Sequence, residues 1–247
     1  MKRLYTLFKT EMILSVREFS GVLFGLIMPV GIMFLLGALN GEKPAFDGAS
    51  YTMVQQSFAA VSTIGICATG LMGIPLTIAS YREKKILKHF KVTPTSPLLL
   101  LGAQFLTNLV FAILSTALVL IAALLFFDYS LIGSPLYFIL AYFLVLTAIF
   151  SLGMMIASVS VNVKTANLLC TIFYFPMLFL SGATIPFEIM PKGLQVVSSI
   201  MPLTQGIKLL KYVSLDSGGG DWIKPVLILS LTALLGIIIS IKTFRWE

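Results

Sequence analysis

Side chains that could act as acids, bases, nucleophiles or metal ligands are scarce in this sequence. Its 247 residues include one histidine, His89, two cysteines, Cys67 and Cys170, and ten acids. Both cysteines fall within long uncharged stretches, which is typical of small buried residues rather than of a disulfide or a metal centre. No pair of acids has the spacing that general acid and base catalysis or a divalent metal needs. The sequence therefore predicts no catalytic residues and no metal ligands.

The composition of the chain indicates a membrane protein. Hydrophobic residues make up 58% of the sequence and charged residues 11%, against about 25% charged in soluble proteins. A spanning helix needs about 20 apolar residues, with a range of about 17 to 25. Six uncharged runs reach that length, at residues 19–41, 48–81, 92–127, 129–163, 165–187 and 225–241. We predict an all-α membrane protein with six transmembrane helices in one domain, residues 1–247.

The positions of lysine and arginine predict the orientation of the chain, because short basic loops stay in the cytosol. With six spans, twelve of the seventeen basic residues fall on the same side as both termini. The five on the other side are Lys43, Lys192, Lys208, Lys211 and Lys224. Both termini are therefore predicted to be cytosolic. The net charge of +7 follows from this topology, and no nucleic-acid partner is expected.

The six predicted spans contain no Asp, Glu, Lys or Arg. Ion-coupled transporters and channels keep such residues in their helices for function, so an autonomous secondary transporter is disfavoured. Ser181 followed by Gly182 is a weak sign of an intramembrane serine protease, but that chemistry needs a base beside the nucleophile. The one histidine, His89, is predicted on the opposite side of the membrane. A G-x-x-x-x-G-K-[ST] phosphate-binding loop is also absent, so we expect the chain to hydrolyse no ATP by itself.

Five basic residues are concentrated in residues 81–94, between the second and third uncharged runs. If residues 82–91 are helical, the apolar side chains Ile86, Leu87 and Phe90 share one face, and the basic residues surround it. An apolar ridge with a basic rim suits insertion into a groove on a partner protein. The alternative is a cytosolic loop whose apolar face dips into the lipid.

Two segments of the sequence are amphipathic, one before the first span and one before the last. Residues 1–19 repeat apolar side chains at helical spacing, which predicts a helix lying in the membrane interface. Residues 183–214, before the last span, predict two short amphipathic helices divided at Pro202 on the extracellular side. This segment is interpreted either as a re-entrant or interfacial loop or as an external gate.

The order of these parts resembles the permease subunit of ABC-2 type exporters over essentially the whole chain. The shared parts are the amphipathic N-terminal helix, the six spans, and a charged first cytosolic loop that ends in Thr93 and Pro94. A segment after the fifth span completes the resemblance with Gly182, Pro186, Met190, Pro191 and Pro202. The order of the motifs and the chain length carry the resemblance.

The resemblance implies that residues 82–91 are a coupling helix that docks in a cleft of a separately encoded ATPase. In the family's E-R-x-x-G-T-L-E stretch, the matching positions are the acid Glu83 and the leucine Leu87, and the stretch ends at the T-P of Thr93 and Pro94. Lys85 and Ile86 depart from the pattern, since the family often has Gly and Thr there. The residues implied in coupling to the ATPase are Arg82, Glu83, Ile86, Leu87, Phe90, Thr93 and Pro94.

The resemblance also implies an assembly. Two permease copies, expected as a homodimer, and two ATPase copies form the exporter in a bacterial or archaeal plasma membrane, surrounded by lipid. ATP and Mg are bound by the ATPase, and this chain carries no cofactor. Uncharged spans favour a lipophilic or amphiphilic cargo such as a drug, antibiotic, peptide or lipid-like molecule. The alternatives are a permease for polysaccharides or lipid-linked glycans, a membrane enzyme acting on lipid, and a scaffold or immunity protein that moves no cargo.

Candidate pathway and gate residues follow from the same resemblance, because the family places its first and fifth spans near the dimer interface and the pathway. The pathway candidates are Phe24 and Met28 on the first span and Phe173, Tyr174, Phe175, Met177 and Phe179 on the fifth. The external gate candidates are Gly182, Pro186, Met190, Pro191 and Pro202.

Overall fold

A computed structural model describes residues 2–40, 43–45, 51–87, 97–182, 190–215 and 221–244. Nine helices make up this described part of the chain, together with one isolated antiparallel bridge between Pro44 and Thr52. The N-terminal helices are α1 (Lys2–Arg17), α2 (Phe19–Val22, Leu23–Ile27 and Met28–Asn40 in succession) and α3 (Met53–Ala68, Thr69–Gly73 and Ile74–Glu83 in succession). The others are α4 (Pro97–Phe126), α5 (Pro135–Val159), α6 (Val163–Leu180), α7 (Lys192–Ile200), α8 (Pro202–Leu215) and α9 (Ile223–Thr243).

Five helices are long and apolar enough to cross a membrane. They cover Met53–Glu83, Leu99–Phe126, Pro135–Val159, Val163–Leu180 and Ile223–Thr243. Each of the last five uncharged runs in the sequence therefore overlaps a candidate span, as predicted, although three of these spans extend past their runs to include charged residues. The first run forms a shorter apolar helix, Leu23–Leu39. The all-helical fold class is confirmed, with five candidate spans and one shorter apolar helix.

Two of these helices widen from α to π hydrogen bonding shortly before a proline. The π segments are Leu23–Ile27 in α2 and Thr69–Gly73 in α3, and Pro29 and Pro75 each follow within two residues. A proline has no N–H for the carbonyl four residues earlier, and its ring clashes with the preceding turn. A single wider turn absorbs that mismatch, so both helices continue past their prolines.

The centre of the bundle is formed by α3 and α5. Of the candidate spans, α3 is the most buried and α5 the next. Gly153 of α5 lies so close to α3 that an added Cβ would be 1.9 Å from the carbonyl oxygen of Gly70. On α9, a Cβ at Gly236 would be 2.6 Å from Oγ of Ser151 on α5. Because glycine has no side chain, these helices pack backbone against backbone.

The helices before the last span differ from each other in burial. The predicted division at Pro202 is confirmed, since α7 ends at Ile200 and α8 begins at Pro202. The inner helix, α8, packs against α3, α5 and α9, and most of its residues are buried. The outer helix, α7, exposes the apolar side chains Leu194, Val196, Val197 and Ile200. Only α7 therefore has the exposure that the prediction of interfacial helices described.

Candidate functional site

Three consecutive residues at the end of α3 bind three different helices. Tyr81 contacts α1, Arg82 contacts the end of α5, and Glu83 contacts the start of α6. We call Tyr81, Arg82 and Glu83 the junction. It lies where the second uncharged run meets the basic segment of residues 81–94.

Tyr81 joins α3 to the N-terminal helix. Its hydroxyl donates to the carboxylate of Glu11 on α1 and lies 2.7 Å from Oε1 and 2.6 Å from Oε2. Glu11 is only 5% exposed. Burial raises the pKa of Glu11, and the hydrogen bond from Tyr81 offsets part of that rise. A carboxylate in such a site depends on its donor, which makes this pair a strong link between α1 and α3.

Arg82 caps the C-terminal end of α5. Its Nη1 donates to the carbonyl oxygen of Ala157, at 2.9 Å, and to that of Ser160. The last carbonyls of a helix have no partner within the helix, and a cation suits this negative end of the helix dipole. The guanidinium carbon also lies 5.5 Å from the ring centre of Phe244, directly after α9. With 7% of its surface exposed, Arg82 joins α3 to α5 and α9.

Glu83 caps the N-terminal end of α6. Its Oε2 accepts a hydrogen bond from the backbone N–H of Val163 at 3.0 Å. The residue before α6, Asn162, accepts a second one from the N–H of Thr165 at 2.8 Å. The first N–H groups of a helix have no acceptor within it, and an anion suits this positive end. The start of α6 is thus fixed partly by its own sequence and partly by α3.

The predicted coupling helix, residues 82–91, begins differently in the structure. The spanning helix α3 continues to Glu83, so Arg82 and Glu83 belong to its last turn. Both side chains bind other helices of this chain. The basic rim that the sequence predicted around the apolar ridge therefore excludes Arg82, which is buried.

A turn at Lys84 and Lys85 separates α3 from the next residues, Ile86 and Leu87, which are again helical. Ile86 is half-buried and Leu87 is completely buried. Leu87 is therefore a packed residue rather than part of an exposed ridge. The remaining predicted coupling residues, Phe90, Thr93 and Pro94, lie outside the described residues.

Lys85 has a φ of 57°, in the left-handed region, where a residue with a Cβ is strained by roughly 1–2 kcal/mol. It is also the position at which the resemblance described above places a glycine. We expect Lys85→Gly to raise the free energy of unfolding by roughly 0.5–1 kcal/mol, because glycine relieves the strain but loses more entropy on folding. Thermal unfolding of the purified protein measures this change in the free energy of unfolding. The matched control is Lys84→Gly, where φ is −76°. It should be destabilising, and equal effects at the two positions would contradict the prediction.

An apolar cleft of about 380 Å³ lies between α6, α7 and the start of α8. Its lining residues are Ile172, Phe173, Pro176, Met177, Val197, Ile200, Met201 and Pro202. The structure thus brings together two predicted pathway residues, Phe173 and Met177, with the predicted gate residue Pro202. The volume falls within the range of small-molecule sites, about 300–1,000 Å³. An apolar group fits this lining better than a polar one.

The other predicted pathway residues lie elsewhere. Tyr174 is buried in the core, and its hydroxyl has no hydrogen-bond partner among the described residues. Phe175 and Phe179 stack on each other on the exposed face of α6. Phe24 and Met28 belong to α2, which packs against α3 and α4, whereas α6 packs against α3, α5, α7 and α8. Within one chain, the first and fifth predicted spans do not form one site.

The predicted gate residues form the corners between helices. Gly182 follows α6 with a φ of 90°, a conformation that glycine adopts without steric cost. Met190 is buried, Pro191 precedes α7 and Pro202 begins α8. Pro186 lies outside the described residues. The serine Ser198 ties α7 back to α6 by donating to the carbonyl of Leu180.

Two residues of this site, Glu11 and Tyr81, were not predicted. The spacing of apolar residues in 1–19 predicted an apolar face of α1, and Tyr5 and Val16 on that face are exposed. Glu11 is among the residues that this spacing leaves out. The available signal was the position of Tyr81 at the end of an uncharged run, because tyrosine is enriched where a span meets water. Its partner lies 70 residues earlier in the sequence.

Known proteins resemble this chain over most of its length. Residues 2–215 match the family described as ABC-2 type transporter. Nodulation protein J of Sinorhizobium fredii is 28% identical over 231 residues, which cover 90% of this chain and 84% of that protein. The inner membrane transport permease YhhJ of Escherichia coli is 25% identical over 209 residues, 83% of this chain but 54% of the relative. Nodulation protein J of Rhizobium meliloti is 28% identical over 202 residues, 80% of this chain and 75% of the relative.

Proposed function

This chain belongs to the ABC-2 type transporter family as a multi-pass membrane permease, and we propose that it exports a lipophilic or amphiphilic cargo with energy from a separate ATPase. The family's permease domain contains no nucleotide-binding domain. ATP and Mg are bound by the ATPase partner. The junction carries the proposal, because it connects the cytosolic segment that meets the ATPase to four other helices.

Motion enters at the segment that follows the junction, residues 84–94. The ATPase pulls or pushes this segment as it binds and hydrolyses ATP, and α3 passes the displacement to α1 through Tyr81, to α5 and α9 through Arg82, and to α6 through Glu83. Packed helices respond to such a displacement by switching between discrete arrangements rather than by bending. The permease alternates in this way between inward-open and outward-open states.

The helix α6 links the junction to the apolar cleft. It begins at Val163, which binds Glu83, and it lines the cleft with Phe173 and Met177. At 1.5 Å per residue these side chains lie about 15–20 Å farther along the helix. A tilt of α6 imposed at its start therefore changes the width of the cleft between α6 and α7. This supports the cleft as the part of the pathway that receives an apolar portion of the cargo.

Two permease copies and two ATPase copies form the working exporter. The exposed apolar side chains Phe24 and Ile27 on α2 and Leu168 on α6 leave these two helices available for an interface between two permeases that unites the predicted pathway residues of both helices. Six crossings, with α2 as the first, keep both termini in the cytosol of a bacterial or archaeal cell. The segment before α9 then lies on the outer side.

The function is tested by reconstituting the permease with its partner ABC ATPase. We expect ATP-dependent movement of a lipophilic fluorescent dye across proteoliposomes, and we expect Phe173→Ala with Ile200→Ala to slow it about tenfold, since each truncation removes part of a contact worth roughly 1.5–3 kcal/mol. Transport assays and co-purification with the ATPase are the measurements.

A control is Phe143→Ala, which truncates an exposed ring on α5 outside the cleft lining. It should leave transport unchanged, and the paired cleft variant should still co-purify with the ATPase. Equal losses in both variants would refute the role of the cleft. Failure to co-purify with any ATPase, or turnover of lipid without one, would refute the permease function itself. Movement of a lipid-linked glycan in place of the dye would assign the cargo to that class.

A further inference from the structure

A second cavity, of about 520 Å³, lies where α8 meets the starts of α3 and α9. Its lining residues are Tyr51, Gln56, Gln205, Lys208, Lys211, Tyr212, Leu215, Asp221, Trp222, Lys224 and Pro225. It shares no residue with the apolar cleft. Its lining differs from that of the cleft because it combines three lysines with three aromatic residues.

The lysines of this cavity are unusual for their side of the membrane. Only five of the seventeen basic residues fall on the predicted outer side, because lysine and arginine are enriched in cytosolic loops. Three of these five, Lys208, Lys211 and Lys224, line this one cavity. Lys208 and Lys211 also interact with other groups of the protein, and a cavity lined by three lysines suits an anion as a further partner.

The rest of the lining suits a phosphate group at the membrane surface. The described lining contains one acid, Asp221, whose Oδ1 lies 3.5 Å from the backbone nitrogen of Lys224. Lysine ammonium groups offer three donors each to an anion, and the buried amide of Gln56 adds two more. Tyr212 and Trp222 are the residue types that occupy the headgroup level of a bilayer. A ligand with a phosphate and an attached apolar part matches both components.

We propose that this cavity binds a phosphate group on the outer side of the membrane, carried by the headgroup of an anionic phospholipid. The three lysines bind the phosphate, and the aromatic rings lie against the glycerol and the first acyl carbons. This inference goes beyond the proposed function, because the site is defined without the ATPase and without cargo movement. Its test uses the full permease alone, so its failure leaves the export function untouched.

The chain has two tryptophans, Trp222 in the cavity and Trp246 near the C-terminus, which allows a direct assay. In full-length Trp246→Phe protein, Trp222 is the single tryptophan, and excitation that is selective for tryptophan reports on it. The purified protein is titrated in detergent with dioleoyl phosphatidylglycerol, with dioleoyl phosphatidylcholine, or with sodium phosphate. We expect a saturable change in emission with phosphatidylglycerol at concentrations at least tenfold below those needed for phosphatidylcholine, whose positive choline the lysines repel.

Substitutions of lysines test whether the change in Trp222 emission comes from lipid bound in the cavity. Lys208→Gln and Lys211→Gln should each weaken phosphatidylglycerol binding about fivefold, in line with the usual contribution of a basic residue near an anionic membrane. Lys192→Gln removes another outer lysine that does not line the cavity and should leave binding unchanged. Unfolding temperatures of all three variants identify any that misfold, and native mass spectrometry of retained lipid gives a second measure of binding that does not use fluorescence.

The outcomes separate the possible sources of the phosphate. Selective binding of phosphatidylglycerol that both cavity lysines weaken supports the lipid site. Saturation by sodium phosphate at equal or lower concentration would keep the phosphate site but overturn its assignment to a lipid. Equal binding of the two lipids, or equal effects of all three lysine substitutions, would overturn the proposal entirely.

Discussion

Replacing Arg82 with alanine is expected to lower the free energy of unfolding by roughly 3 kcal/mol. The guanidinium supplies the hydrogen bonds that the carbonyls of Ala157 and Ser160 receive from α3. A hydrogen bond to a charged group contributes about 1.5–3 kcal/mol, and a buried acceptor left without a donor adds a desolvation cost. The contact with the Phe244 ring is lost as well. Thermal or denaturant unfolding of the purified permease measures this change.

A residue that transmits motion from the ATPase should, when replaced, reduce the transport obtained per ATP hydrolysed. A residue that only stabilises the fold should not. At a temperature where the variant remains folded, Arg82→Ala permease should still co-purify with the ATPase, while transport per ATP hydrolysed falls by more than fivefold. Arg82→Lys keeps the positive charge but not the planar donors, so it should be intermediate in both measurements. An exposed basic residue outside residues 84–94 gives the control, Lys242→Ala. If Arg82→Ala matches this control in stability, or if transport per ATP is unchanged, Arg82 does not act as we describe.

The arrangement of long apolar helices could be predicted from the sequence because it depends on a local property. An uncharged run of sufficient length has few alternatives to a membrane helix, and five such helices occur where the runs predicted them. The division at Pro202 is equally local, since a proline cannot continue the preceding helix. In contrast, the widening of α2 and α3 before Pro29 and Pro75 is only one of the ways in which a helix accommodates a proline. The sequence indicated only that these prolines could disturb a span.

The sequence indicated that the region around the junction is important, but it did not predict the burial or the partners of Arg82. Charge counting treats Arg82 as one more cytosolic cation, and helical spacing assigns it to the rim of a docking surface. The structure buries it because α3 continues two residues beyond its uncharged run and ends beside α5 and α9. The partners of Arg82 are backbone carbonyls 75 and 78 residues away. Backbone acceptors have no signature in the sequence, so only the fold identifies them.

The helices before α9, α7 and α8, also show what the sequence cannot predict. Both α7 and α8 have an amphipathic pattern, and the pattern does not say whether the apolar face meets lipid or protein. In α8 it meets α3, α5 and α9, and glycine at position 206 allows a close approach to Val145, where a Cβ would lie 2.8 Å from Cγ1. In α7 the apolar residues stay exposed around the cleft. The difference arises from long-range packing, which no local period encodes.

Replacing Tyr81 with phenylalanine is expected to destabilise the protein by roughly 1.5–3 kcal/mol at neutral pH. The change leaves the buried Glu11 carboxylate without the hydroxyl that donates to it, and a charged acceptor is costly to leave unpaired. In a Glu11→Gln background the same replacement should cost about 1 kcal/mol, because the amide is neutral. A double-mutant cycle of unfolding free energies measures the coupling between the two side chains. Tyr5→Phe, at an exposed position on α1, is the control and should be neutral.

The pH dependence of stability gives an independent check on Glu11. Because burial raises its pKa in the folded state above the usual value of 4.5, the folded protein holds this proton more tightly than the unfolded chain does. The resulting contribution to stability is fully present below the usual pKa and is lost as the pH rises through the folded-state pKa. Glu11→Gln should remove that decline and make the protein relatively more stable at neutral pH, whereas Tyr81→Phe should shift the decline to higher pH because the carboxylate loses its donor. A Glu11→Gln protein with the same pH profile as the original would mean that the pKa of Glu11 is the same in the folded and unfolded protein. That result would contradict the burial of this carboxylate against Tyr81.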